Sequence, residues 1–200
     1  MRSEPARIGA LVYRSDQSAA ADAMLATLAR VLAGMEYRLT GAVQHNPARP
    51  DRCRCDMALE DLSTGQIVAI SEDRGPQARG CRLNPAALEQ LVGAAAAGVD
   101  AGADLLIVNR FGKREAEGRG FRAVIETAVT SGVPVLVAVS ASNLDAWNAF
   151  SGALDERLKA DLAPMICWCR SVLPVRVAES LGLVPSSSPH YPNRSARLTG

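Results

Sequence analysis

The chain has 200 residues, of which 48% are apolar and 22% charged, the balance of an ordinary globular protein. We expect one α/β domain over residues 1–184 and a flexible C-terminal tail, rich in Ser, Pro and Arg, over residues 185–200. Because 22 Lys and Arg offset 21 Asp and Glu, the net charge is +1, which argues against a nucleic-acid partner and requires any anion site to be local. No apolar run reaches the ~18 residues of a membrane span, and no secretory signal opens the chain, so we expect a cytoplasmic protein.

The five cysteines favour free thiols rather than a metal centre. The two C-x-C pairs, Cys53/Cys55 and Cys167/Cys169, are closer than the C-x₂₋₄-C spacing of zinc sites. The chain has only two histidines to complete a metal site. We therefore expect no metal among the site residues, and the role of the two pairs stays open.

The first predicted elements form a β-α-β unit. The apolar run Ile8–Tyr13 predicts a buried strand, residues 19–32 an amphipathic helix, and residues 39–44 a second strand. Ser15 lies in the polar loop between the first strand and the helix.

The middle of the chain predicts a hairpin and a loop. Residues 56–62 and 66–71 flank Ser-Thr-Gly and predict a β-hairpin. Residues 72–82, with two glycines, a proline and three arginines, predict a loop. A helix follows over residues 85–98, with Asn84 as its N-cap and Pro85 as its first residue.

The second half alternates between strands and helices. We predict strands over residues 104–108, 133–139 and 165–172, and helices over residues 121–130, 144–150 and 154–162, with Asn143 capping the second of these helices. Residues 109–120 predict a long charged loop with three glycines.

This alternation predicts a mostly parallel, doubly wound sheet with a β-hairpin insertion. Right-handed crossovers bring the loops after the first strand, after Val108 and after Val139 to one edge, where open α/β sheets bind ligands.

The nucleotide-binding motifs of this class are incomplete. A P-loop has the pattern G-x-x-x-x-G-K-[ST], whose backbone and lysine hold phosphates, but the sequence after the first strand, YRSDQSAA, has neither glycine nor lysine. The strand ending at Val108 leads to Asn109 and Arg110 instead of the acids that hold Mg²⁺. Glu115 and Glu117 are alternative metal ligands that the spacing does not require.

Several segments carry a family resemblance. The stretches CDMALEDLSTG, SEDRGPQARGCRLNP, NRFGKREAEGRGFR, GVPVLVAV and LDAWNAF resemble the bacterial family known as domain of unknown function 2478, and more distantly small P-loop nucleoside triphosphatases. The resemblance covers over three-quarters of the chain. It implies a P-loop-like α/β fold and a link to molybdenum metabolism through molybdate-transport ATP-binding proteins.

Arginines cluster in the two glycine-rich loops and favour an oxyanion site. Arginine side chains and glycine-exposed backbone N–H groups are common receptors for phosphate, sulfate or molybdate. The candidate ligand-binding residues are Ser15, Arg74, Cys81, Arg82, Asn109, Arg110, Lys113 and Arg119. The interleaved acids leave a salt-bridged surface without a ligand as an alternative.

We therefore expect a non-catalytic or weakly catalytic protein that binds an oxyanion, molybdate or tungstate, on a degenerate P-loop-like fold. One alternative is a divergent enzyme that binds a nucleotide with Mg²⁺. A second is an interaction subunit without a small ligand. Expected partners are a small anionic ligand and, as further candidates, a second copy of the chain or a molybdate-transport component.

Overall fold

The computed structural model describes residues 6–45, 57–72 and 82–175, with the backbone alone at residues 72 and 82. The strands are β1 (Ile8–Tyr13), β2 (Leu39–His45), β3 (Ala58–Asp61), β4 (Ile67–Ala69), β5 (Ser71–Glu72), β6 (Arg82–Leu83), β7 (Leu105–Phe111), β8 (Val135–Ser140) and β9 (Asp155–Leu158). The helices are α1 (Ser18–Gly34), α2 (Pro85–Asp100), α3 (Lys113–Ala116), α4 (Arg122–Thr130), α5 (Leu144–Ser151) and α6 (Leu162–Val172). Short 3₁₀ turns, Ser15–Gln17 and Ala141–Asn143, precede α1 and α5. The predicted tail, residues 185–200, lies outside the described residues.

Seven strands form one sheet in the order β4-β3-β2-β7-β8-β1-β9. From β2 to β9 the neighbouring strands are parallel, whereas β3 and β4 run antiparallel and form the predicted hairpin. β5 pairs with β6 in a separate antiparallel ladder, so the two ends of the predicted 72–82 loop are paired. The predicted mostly parallel α/β sheet with a hairpin insertion is confirmed.

Helices cover both faces of the sheet. α1 and α6 pack on one face, and α2, α4 and α5 pack on the other. Alternate residues of β7 enter the two cores: Leu105 and Ile107 face α1, while Leu106 and Val108 face α2 and α4, and all four are fully buried. A strand covered on both faces needs a continuous apolar run, which is why its sequence predicted it well.

The predicted starts of α2 at Pro85 and of α5 at Leu144 are confirmed, but the predicted side-chain cap is present only at α2. Asn84 Oδ1 accepts a hydrogen bond from Ala87 N at 3.1 Å, and Pro85 is the first residue of α2. Asn143 occupies the N-cap position of α5 but makes no side-chain cap hydrogen bond, and its side chain donates instead to the Phe111 carbonyl at 3.4 Å.

The last two predicted elements are wrong, since a strand comes first and a helix second. The segment predicted as a helix over residues 154–162 contains the edge strand β9, whose Glu156 forms a bidentate ion pair with Arg7 at 2.6 and 2.7 Å. Charged side chains are a normal feature of an edge strand. The apolar run predicted as a strand over residues 165–172 is α6. Its buried residues Met165, Trp168 and Cys169 follow the helical period rather than alternation.

β7 extends further than predicted. Asn109 and Arg110, which we predicted in a loop, belong to the strand. The charged segment that follows β7 includes the short helix α3. Val108 pairs with Val137 and Phe111 with Val139, so three steps along β7 match two along β8. This β-bulge contains Asn109 and Arg110 and brings both to the carboxyl edge of the sheet.

Candidate functional site

The turn between β1 and α1 is short and satisfies its own polar groups. Residues 14–17 make the connection. Gln17 N donates to the Arg14 carbonyl at 2.8 Å, and Arg14 N donates to Gln17 Oε1 at 3.1 Å. Arg14 also pairs with Asp16 at 3.2 Å. Without glycine, and with only four residues, this turn does not form the backbone cradle that wraps a phosphate in P-loop proteins. The candidate residue Ser15 is exposed on it.

A buried carboxylate lies beside this turn. Asp22, on the first part of α1, is 6% exposed. Its Oδ1 and Oδ2 accept hydrogen bonds from Arg110 Nη2 at 2.9 and 3.0 Å, and Oδ1 accepts another from Asn109 Nδ2 at 3.2 Å. Consecutive residues of a regular strand point to opposite faces, so it is the β-bulge that allows Asn109 and Arg110 to reach the same carboxylate.

Asn109 also connects β7 to β2. Its Oδ1 accepts a hydrogen bond from Gln44 N at 2.9 Å, and the residue is 4% exposed. Both ends of its amide are therefore bonded within the protein. In this structure the predicted ligand residue Asn109 joins three elements of the fold, and its side chain is closed to solvent.

Arg110 is placed differently. Its Nη2 makes both bonds to Asp22 and a third to Ser18 Oγ at 3.2 Å. The side chain nevertheless remains 43% exposed, and no partner of Nε or Nη1 is found among the described residues. One side of the guanidinium is thus held by α1 while the rest reaches solvent at the carboxyl edge.

Tyr13 completes the buried side of this cluster. Burial raises the pKa of its phenol, while the nearby Arg110 guanidinium and a hydrogen bond with Ser18 act in the opposite direction. The phenol therefore stays protonated and neutral at neutral pH.

The segment between β7 and α4 is braced from inside by Glu115. This residue is 6% exposed. Its Oε2 accepts a hydrogen bond from Gly112 N at 2.9 Å, and its Oε1 accepts one from Phe121 N at 3.2 Å. Gly120 adopts a positive φ of 59° beside it, and a Cβ there would lie 2.2 Å from Glu115 Oε1. Glu115, a candidate metal ligand from the sequence, is therefore occupied in holding the loop.

The cations of this loop point outward. Lys113 is 87% exposed and lies 3.7 Å from Glu117, and Arg119 is 66% exposed and lies 4.0 Å from the same carboxylate. Arg114 is less exposed and pairs with Glu89 on α2 at 3.2 Å. Two exposed cations thus share the Glu117 carboxylate, which leaves a local positive excess.

The second basic loop is mostly outside the described residues. Arg74 and Cys81 lie there, and of Arg82 only the backbone is described, in β6. Of the sequence candidates, the structure brings Asn109 and Arg110 into one cluster. Ser15, Lys113 and Arg119 lie on the neighbouring connections of the same edge.

Sequence reasoning missed Asp22, the residue that organises the cluster. A signal was present, since Asp22 shares the helical spacing of the buried residues Leu25 and Ala29 on α1. An acid on the buried face of an Ala-rich helix requires a cationic or hydrogen-bonding partner.

The cysteines described by the structure do not form a metal pair. Cys167 is exposed and Cys169 buried, because positions two apart on a helix face different sides. Burial raises the pKa of the Cys169 thiol to about 12. Over residues 6–45, 57–72 and 82–175 there is no group of three or more potential metal ligands. Cys53, Cys55 and Cys81 lie outside these ranges. Within the same part of the chain, no helix is both long and apolar enough to span a membrane.

Residues 8–168 match the family described as "Protein of unknown function (DUF2478)". The chain belongs to this family. The DUF2478 region thus begins with β1 and extends into α6. No solved structure matches the chain.

A curated relative from Bradyrhizobium diazoefficiens is named "Molybdenum import ATP-binding protein ModC 2". It is 33% identical over 167 residues, which are 84% of this chain but 18% of that protein. The DUF2478 protein therefore spans less than a fifth of the length of its relative.

Proposed function

We propose that this DUF2478 protein is a non-catalytic domain that binds an oxyanion, molybdate or tungstate, at the carboxyl edge of its sheet. The observation that carries the proposal is the placement of Arg110. Its guanidinium is positioned by a β-bulge at the edge where open α/β sheets bind ligands, and it remains 43% exposed.

The surroundings of Arg110 favour an anion. Lys113 and Arg119 emerge from the next connection and are well exposed, and the positive end of α4 begins at the close of that segment. Guanidinium groups bind tetrahedral oxyanions through charge-assisted hydrogen bonds. The molybdenum-import function named for the relative supports molybdate or tungstate as the ligand among such oxyanions.

Several features argue against nucleotide hydrolysis. The turn after β1 has four residues and no glycine or lysine. Asn109 and Arg110 replace the metal-binding acids at the end of β7, and Glu115 is committed to backbone N–H groups. A transferring phosphoryl group would therefore lack its usual stabilising groups.

Thermal unfolding with a panel of anions tests the proposal. A ligand at a hundred times its Kd stabilises the fold by about 2.7 kcal/mol. We expect molybdate and tungstate to raise the Tm without Mg²⁺. Sulfate and phosphate should raise the Tm by a smaller amount. A rise that requires ATP or GTP together with Mg²⁺ would favour an enzyme instead, and no rise with any anion would favour an interaction subunit.

Matched variants assign the effect to the site. Arg110→Ala should abolish the rise in Tm with molybdate. Arg30→Ala removes the same charge from the far part of α1, where Arg30 bonds to residues of its own helix, and should preserve the rise. Equal responses in the two variants would place the ligand elsewhere.

A second function, interaction with a transporter component, is supported by the coverage of the relative. The relative is a much longer protein, named for ATP binding in molybdenum import, and a region similar to this chain forms part of it. We propose that the chain binds such an ATP-binding protein. Light scattering of the two purified proteins should detect a complex, and independent masses at micromolar concentrations would contradict this partner.

A further inference from the structure

We infer that Asp22 competes with the ligand for Arg110, so that an oxyanion binds by displacing the Asp22 carboxylate from the guanidinium. This inference rests on the proposed oxyanion function and adds how access to the site is controlled. It concerns one ion pair, Arg110 Nη2 to Asp22 Oδ1 and Oδ2, at 2.9 and 3.0 Å.

The two partners differ in their freedom to move. The Asp22 side chain is 9% exposed and short, and α1 fixes its backbone. The Arg110 side chain is 43% exposed and has four rotatable bonds to its guanidinium. Exchange of partners therefore occurs by an outward turn of Arg110, while Asp22 stays in place.

This movement has a cost that lowers the affinity for the ligand. When Arg110 turns outward, Asp22 keeps the hydrogen bond from Asn109 Nδ2 at 3.2 Å but loses its cationic partner. A buried carboxylate without a charged partner is strongly disfavoured. The ligand must offset this loss, so Asp22 raises the oxyanion concentration at which the site fills.

The same movement links the ligand to α1. Arg110 Nη2 also bonds Ser18 Oγ at 3.2 Å, so the guanidinium holds two residues in the first part of this helix. Ligand binding should remove both bonds together. The start of α1 should therefore become more mobile when an oxyanion is bound.

Isothermal titration calorimetry with sodium molybdate tests the inference on the full chain. Asp22→Asn keeps the shape of the side chain and removes the competing charge. It should bind molybdate about tenfold more tightly than wild type. Asp16→Asn is the matched control, because Asp16 is an acid at the same edge that pairs with Arg14 rather than Arg110. It should change the affinity by about twofold or less.

The outcomes separate this inference from the proposed function. Wild type that binds molybdate while Asp22→Asn binds no more tightly than Asp16→Asn would overturn the competition and leave oxyanion binding intact. Binding by Asp22→Asn alone would support both. Absence of binding in all three proteins would overturn both.

A measurement on wild type covers the case in which Asp22→Asn does not fold. The Nε–Hε resonance of Arg110 in ¹⁵N NMR spectra should shift on addition of molybdate, and amide exchange in the first turn of α1 should accelerate. An Arg110 signal that shifts without any change in α1 would contradict displacement of Asp22.

Discussion

The β1–α1 turn and the β7–α4 loop lie at the same edge of the sheet and are built in opposite ways. The turn is short and exposed, and Gln17 and Arg14 bond to each other within it. The loop is longer and is held by a buried carboxylate, Glu115, that bonds to its two ends. The turn is held by hydrogen bonds among its own exposed residues, whereas the loop is held by a buried carboxylate and exposes Lys113 and Arg119.

This difference supports the proposed site on β7, because the fold resembles P-loop proteins but the turn after β1 does not form a P-loop. The connection after β1 has neither the length nor the glycines needed to surround a phosphate. The bulge and loop of β7 instead present Arg110, Lys113 and Arg119. We therefore propose anion recognition on β7 rather than on the β1–α1 turn.

The largest effect is expected at Glu115. Glu115→Ala removes two charge-assisted hydrogen bonds in a buried setting and should lower the free energy of unfolding by about 3 kcal/mol. Glu115→Gln, which keeps one carbonyl acceptor, should cost about half as much. Urea denaturation monitored by circular dichroism measures both.

Gln17→Ala is the matching change in the turn. It also removes a side-chain acceptor of a backbone N–H, but in an exposed position, and should cost below about 1 kcal/mol. Equal losses for Glu115→Ala and Gln17→Ala would contradict the structural difference between the two connections.

The next effect concerns the glycine packed against Glu115. An alanine Cβ at Gly120 would lie 2.2 Å from Glu115 Oε1, on a backbone with φ 59°. Gly120→Ala should therefore cost about 2 kcal/mol, since Glu115 must move away from Phe121 N. Gly118→Ala, at φ 83° with no atom within 4 Å of the new Cβ, should cost about 1 kcal/mol. A larger loss at Gly118, measured by urea denaturation, would refute the bracing role of Glu115.

A smaller change in free energy is expected for ligand affinity. Arg119→Ala should weaken molybdate binding about tenfold by removing one charge-assisted contact. Arg14→Ala removes the same charge from the β1–α1 turn and should leave the affinity nearly unchanged. Calorimetry that finds the larger loss in Arg14→Ala would move the site to the turn.

The smallest effect is expected for hydrolysis. Because the β1–α1 turn has no P-loop lysine and β7 carries Asn109 and Arg110 where metal-binding acids are expected, Lys113→Ala should not alter the background release of phosphate from ATP or GTP. Turnover that follows the purified wild-type protein and disappears in Lys113→Ala would make this protein an enzyme.

The sequence predicted the parts of the fold that depend on local pattern. The apolar runs of β7 (residues 105–108) and β8 and the Asn84 cap of α2 are each specified by a few neighbouring residues. The order of β9 and α6 was wrong because burial there depends on tertiary contacts. An apolar run can be a strand or a helix, and residues 165–172 form a helix whose buried residues share a core with those of α1.

The candidate site was predicted by residue type but not by arrangement. Arg110 and Asn109 were identified from the positions where acids are expected. Their contact with Asp22 depends on a β-bulge and on a residue 87 positions away from Asn109. Such an arrangement has no local sequence signature, so the ion pair between Asp22 and Arg110 appears only in the folded structure.

A crystal structure of the protein with tungstate tests the central claim most directly, because tungsten gives a strong anomalous signal. We predict an anomalous peak at the carboxyl edge within hydrogen-bond distance of the Arg110 guanidinium, with Arg110 turned away from Asp22. A peak at the β1–α1 turn with the Arg110 and Asp22 pair intact, or no ordered tungstate at saturating concentration, would contradict it.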